Sequence, residues 1–151
     1  MRTVVQRVAR AEVRVDGEAV ARIGRGLLLF TGVEKGDGEA DADATARKIA
    51  ALRIFPGKTP MDLTVAEVGG ACLVVSQFTL CASLAKGNRP SFEPAEVPAR
   101  AEPLYLRVAA ALRAVGLPVE TGRFGADMAV DLVNDGPVTF LIVTQGGALV
   151  K

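Results

Sequence analysis

Apolar residues recur along the chain in short runs broken by turn residues, and these runs predict most of the elements. Residues 3–8 make a valine-rich strand, and residues 13–15 and 19–23 read as the arms of a hairpin. Asp16-Gly17 lies between those arms, and Asp-Gly is a favoured two-residue hairpin turn because both positions need a left-handed backbone. After Gly24 and Gly26, residues 27–33 are almost continuously apolar, the pattern of a strand buried on both faces. Residues 71–80 (ACLVVSQFTL) form another strong strand. Residues 128–133 and 138–144 form two more, separated by Asn134-Asp135-Gly136-Pro137.

Helical spacing appears twice. Residues 39–44 alternate alanine with acid and open a helix running to about residue 53, with Ala42, Ala46, Ile49 and the aliphatic stem of Arg53 turned inward. Carboxylates in its first turn suit the positive end of the helix dipole. A second helix covers residues 99–115, where Leu104, Val108, Leu112 and Val115 share a face and Gly116 and Pro118 stop it. Pro103 predicts a later start or a distorted first turn. Residues 56–60 and 82–97 read as turn and loop, and the tail 145–151 is expected to fray. Two helices among at least six strands with hairpin-type connections give an α+β fold, one domain over residues 1–151.

Composition narrows the chemistry more than the fold. The chain of 151 residues, 50% hydrophobic, can bury a core without disulfides or metal. It contains no histidine, which excludes Ser-His-Asp and Cys-His machinery, imidazole acid–base catalysis and histidine-containing metal sites. Two cysteines, Cys72 and Cys81, cannot supply a four-ligand site, and neither G-x-G-x-x-G nor a P-loop is present, so no metal and no cofactor are expected. No apolar stretch approaches the roughly 18 residues of a membrane span, and with no leader and free thiols the expected location is the cytoplasm. The net charge of +1 argues against a globally basic, nucleic-acid-wrapping surface. It leaves room for local stripes, since residues 1–25 carry six arginines against three acids.

Two segments break the local pattern. In Ser76-Gln77-Phe78-Thr79 an apolar strand ends in polar side chains, which either line a pocket or cap an ordinary strand. A hydroxyl nucleophile there has no histidine as base; Lys86 reads as a solvated loop lysine and Cys81 as a packed, inert thiol. The second segment, Asn134 to Thr139, reads as a turn. Its Gly136-Pro137 bond belongs to the class that adopts cis at modest cost, which would place two neighbouring carbonyls at a rigid loop tip.

Both segments resemble motifs of the D-aminoacyl-tRNA deacylase family: SQFTL at 76–80 and NDGPVTF at 134–140. Further similar stretches are QRV at 6–8, GVEK at 32–35, RIF at 53–55, RPSF at 89–92 and TGRFGADM at 121–128, in order along all but the tail. The resemblance implies a single barrel-like domain of mixed and antiparallel sheet with two main helices. It implies a cytoplasmic homodimer, free of cofactors, that acts on the acceptor 3′ end of tRNA and not on DNA. The ester between a D-amino acid and the terminal adenosine is hydrolysed, and glycine is removed from mischarged tRNA. Ser76, Gln77, Phe78 and Thr79 are implied to form the catalytic pocket floor, and Phe124 and Met128 to hold the adenine. Gly136 and Pro137 are implied to reach into the other subunit's site, fixed by Arg7.

On that footing the Gly136 and Pro137 carbonyls would fill the space an L side chain needs, a selection by rejection. The substrate's own 2′-hydroxyl would assist the attacking water while the Phe78 N–H holds the oxyanion. Two other readings remain open: a small-molecule hydrolase with Thr79 or Cys81 as nucleophile, and a tRNA-end-binding protein without catalysis.

Overall fold

The computed structural model describes residues 1–150. In chain order it contains β1 (Arg2–Val15), β2 (Glu18–Ile23), β3 (Gly26–Gly32), α1 (Glu39–Ala51), β4 (Ala71–Ser76), a 3-10 turn (Phe78–Cys81), α2 (Pro98–Ala114), β5 (Val119–Thr121), β6 (Ala129–Gln145) and β7 (Ala148–Leu149). One seven-stranded mixed sheet has the order β5-β4-β3-β1-β6-β7, with β2 added to β1. β1 is antiparallel to β2, β3 and β6, whereas β3, β4 and β5 are mutually parallel. The class is α+β, as the element pattern predicts.

β1 organises the sheet because it is long enough to take different partners at its two ends. Its first half pairs with β3 and its second half with β2, while β6 follows it throughout. The predicted strands 3–8 and 13–15 are therefore one strand, joined through residues whose polar appearance reflects solvent on one face. Asp16 (φ 51°) and Gly17 (φ 79°) both take the left-handed backbone that the Asp-Gly turn requires.

Strand β3 separates two cores, which is why it reads as continuously apolar. Leu27 and Leu29 face a cluster containing Ile49, Tyr105, Val108 and Leu112 from the helices. Leu28 faces the opposite cluster with Val13, Ile23, Leu73 and Val75, inside the curl of the sheet.

Six features differ from the sequence-based expectation. α1 ends at Ala51, so Arg53 lies beyond it and is exposed. Val115 caps α2 and is 63% exposed instead of completing its buried face. Pro103 lies within α2, which starts at Pro98 and runs through it. β4 stops at Ser76, not at 80, and the two late strands are one, β6. The tail does not fray through residue 150. The Gly147 amide donates to the buried Asp41 carboxylate at 2.9 Å and the Val150 amide to the Val143 carbonyl at 2.8 Å. Lys151 lies outside the described residues.

Candidate active site

At the carboxyl ends of parallel strands β3 and β4 the chain encloses a cavity of about 650 Å³, the size of a small-ligand site. Thr31 and Ser76, cross-strand neighbours, form its inner end. The Gln77 amide donates to the Thr31 carbonyl at 2.8 Å, extending the ladder by one bond before the chain turns. The turn that follows carries Phe78 outward, 57% exposed, where its ring meets Phe92 edge-on at 5.1 Å. The opposite wall is Phe124, Ala126 and Met128. Tyr105 closes the floor: its hydroxyl donates to the Val74 carbonyl at 3.1 Å and its ring lies 5.9 Å from Phe124.

This turn presents donors rather than a nucleophile. The first N–H groups of a helical turn have no intrahelical acceptor, and those of Phe78 and Thr79 have none elsewhere among the described residues. The Gln77 side-chain amide donates to the Thr79 hydroxyl. Gly32 makes the turn's position feasible. A Cβ there would lie 2.8 Å from the Gln77 carbonyl oxygen and 2.9 Å from Cys81 Sγ. Burial, helped by the Glu34 and Asp37 carboxylates, pushes the Cys81 thiol up to about 11. It is no thiolate at neutral pH.

The charged lining is mostly acidic: Glu93, Glu96 and Asp127 against Lys35. Glu96 is engaged, accepting from the Val97 amide at 2.8 Å and facing Arg100 at 3.5 Å. The segment bearing Val33 and Lys35 is tied down by the buried Met1 ammonium, which donates to Asp37 Oδ1 at 2.6 Å and to the Thr144 carbonyl at 2.8 Å. Burial holds the Asp37 carboxyl above its ordinary value despite that ammonium.

Arg7, Gly136 and Pro137 lie elsewhere. The Gly136-Pro137 peptide bond is cis. It belongs to a bulge of β6 opposite Arg7, since Gln6 pairs with Thr139 and Val8 with Asn134. Arg7 is registered with Leu27 and thence Cys72, whereas the cavity's row is Thr3, Thr31 and Ser76. Four residues along a strand are about 13 Å. The exposed Gly136-Pro137 loop thus stands about 13 Å along the sheet from the Thr31–Ser76 end of its own chain's cavity, near the middle of β1.

A family model described as D-Tyr-tRNA(Tyr) deacylase matches residues 4–143. The chain belongs to the D-Tyr-tRNA(Tyr) deacylase family. The D-aminoacyl-tRNA deacylase of Anaeromyxobacter dehalogenans (strain 2CP-C) is 59% identical over 143 residues, 94% of this chain and 96% of that protein. That of Paracoccus denitrificans (strain Pd 1222) is 58% identical over 140 residues, covering 92% and 94%. A solved structure titled c-Myc DNA Unwinding Element Binding Protein superposes with a TM-score of 0.91 at 37% identity, covering 97% of this chain and 100% of that one. A probable eukaryotic D-amino acid tRNA deacylase shares the fold, with a TM-score of 0.75 at 16% identity over 93% and 97%. The protein is an enzyme of the deacylase class, an ester hydrolase.

Against this deacylase fold, the predicted site residues divide. Ser76, Gln77, Phe78, Phe124 and Met128 meet at one cavity. Thr79 lies one residue past its lining and touches it through Gln77. Arg7 meets the Gly136-Pro137 loop through Asp135, away from that cavity. Phe92, Glu93, Asp127 and Tyr105 join that cavity's lining without a role legible from local pattern. The stretches RPSF and TGRFGADM contain Phe92 and Asp127 and were a usable signal. Tyr105 gave none beyond being the chain's one tyrosine.

Proposed function

We propose that this enzyme hydrolyses the ester of D-aminoacyl-tRNA, and of mischarged glycyl-tRNA, as a chiral proofreader of translation acting in the cytoplasm. Water adds to the ester carbonyl, the bond to the ribose oxygen breaks, and free amino acid and tRNA with its hydroxyl restored leave. The observation that carries the reading is the cavity where Ser76, Gln77 and Phe78 end a strand opposite Phe124 and Met128, in a chain of this family. Phe124 and Met128 take the terminal adenine. The free Phe78 amide receives the developing oxyanion, Ser76 and Gln77 complete the lining, and Thr79 supports it through its hydrogen bond with Gln77. The substrate's 2′-hydroxyl assists the attacking water, which makes a histidine unnecessary.

Chirality is read by the Gly136 and Pro137 carbonyls of a second copy, with Arg7 holding that loop. Two features support a homodimer: the loop stands some 13 Å along the sheet from its own cavity, and Phe140 and Leu141 beside it on β6 are 39% and 38% exposed. No helix among the described residues is long and apolar enough to cross a membrane. The deciding experiment is deacylation of D- and L-tyrosyl-tRNA side by side. Release of D-tyrosine with the L ester intact is expected. An ester protected in both would instead assign a tRNA-end-binding protein.

A further inference from the structure

Beside the cavity lies a group of cations that no carboxylate neutralises. Lys86 and Arg89 stand on the loop between Ser83 and Ser91, whose backbones pair at 2.8 and 3.0 Å. That pair is followed directly by Phe92, whose ring meets Phe78 edge-on at the cavity mouth. Arg123 directly precedes Phe124 of the opposite wall. All three cations are exposed, and none has a carboxylate within 4.0 Å among the described residues, although most other arginines are paired. The cavity itself is acidic on balance, with Glu93 and Asp127 unpaired in its lining against the single cation Lys35.

Charge is therefore partitioned. Carboxylates inside favour a ligand end that is neutral or cationic, such as a nucleoside ester bearing an ammonium group, and repel a phosphate. Cations outside attract phosphate. We infer that Lys86 and Arg89, with Arg123 across the mouth, bind the backbone phosphates of the single-stranded 3′ end that leads a nucleic acid into this cavity. This rests on the deacylase reading and extends it from the terminal nucleoside to the strand behind it. It also reconciles a net charge of +1 with an RNA substrate, because the binding surface is confined to one loop and one wall.

The test compares two substrates, D-tyrosyl-tRNA and D-tyrosyl-adenosine, the second lacking phosphates, on wild type and K86A/R89A. For the tRNA, the double variant is expected to raise KM about tenfold with little change in kcat, and to flatten the log–log salt dependence by about 1.4, or 0.7 for each single-strand phosphate no longer neutralised. Turnover of D-tyrosyl-adenosine is expected to stay within twofold or so of wild type, and K86R/R89K to restore the salt slope. An unchanged KM and salt slope would overturn the inference while leaving the deacylase reading intact. An equal loss on both substrates would also overturn it, because the loop would then be shaping the cavity. If wild type hydrolyses neither substrate, the deacylase reading itself fails.

Discussion

Arg7 is bound to Asp135 twice, its Nε lying 3.2 Å from the Asp135 carbonyl and 2.9 Å from its carboxylate. The same guanidinium donates through Nη1 to the Ile54 carbonyl at 2.5 Å and lies 6.0 Å from the centre of the Phe55 ring. Only 7% exposed, it clamps the residue preceding Gly136 to the core. Removing it strands two main-chain acceptors and the Asp135 carboxylate. Arg7→Ala is expected to cost about 2–3 kcal/mol of stability. Arg7→Lys, which keeps the charge but not the fork, should fold and lose discrimination between D- and L-tyrosyl-tRNA. Thermal unfolding and paired deacylation assays check the two halves. Unaltered chiral preference in Arg7→Lys would remove the loop from the specificity mechanism.

Thr79 lies outside the cavity lining, and its hydroxyl accepts from Gln77. Thr79→Ala is expected to lower kcat by less than about tenfold, whereas tRNA ending in 2′-deoxyadenosine should be hydrolysed at least about a hundredfold more slowly. The reverse pattern, a dead variant with normal turnover of the deoxy substrate, would assign a threonine nucleophile.

Both thiols are buried, and burial pushes Cys72 up to about 12 and Cys81 to about 11. At pH 7 the Cys81 thiol is almost wholly protonated. Iodoacetamide at neutral pH is therefore expected to leave deacylation unchanged over hours, as mass spectrometry and activity together would show. Rapid inactivation with alkylation at Cys81 would revive the cysteine-nucleophile reading.

The two helices are joined by Arg107, which grips Asp43 with Nε at 2.8 Å and Nη2 at 3.0 Å and reaches Glu39 at 3.1 Å. The hydrogen bond from Arg107, with its charge, holds the Asp43 carboxyl below its ordinary 3.8. A carboxyl lowered in the folded state stabilises the fold above its unfolded value and loses that stabilisation as pH falls through the folded one. Arg107→Ala should therefore lower Tm at neutral pH, with the difference from wild type shrinking below about pH 4. A difference constant down to pH 2 or so would show that packing, not charge, joins the helices.

How much was legible in the sequence differs by element. Apolar periodicity located both helices and every strand but two short ones at the sheet edge, because burial on one or two faces writes itself into residue type. The Asp16-Gly17 turn was readable for the same local reason, a backbone conformation few residues tolerate. The residues that form the cavity were legible as motifs, and the missing histidine excluded the usual hydrolase chemistries without reference to the fold.

Register and direction were not legible. Residues 71–80 look like one strand because Ser76-Gln77-Phe78-Thr79-Leu80 has strand-like composition. The chain leaves the sheet at Ser76 because β3 ends beside it, at a glycine that admits the turn. The tail looked unanchored because its partner, the Asp41 carboxylate, lies more than a hundred residues away in sequence. Residues 128–144 looked like two strands because a bulge facing Arg7 resembles a turn when its partner strand is unseen. In each case the deciding interaction is between segments distant along the chain. Local composition records whether a residue is buried, but only the tertiary structure decides against what, and hence that Ser76 and Phe124 share a cavity while Gly136 and Pro137 stand opposite Arg7, outside its lining.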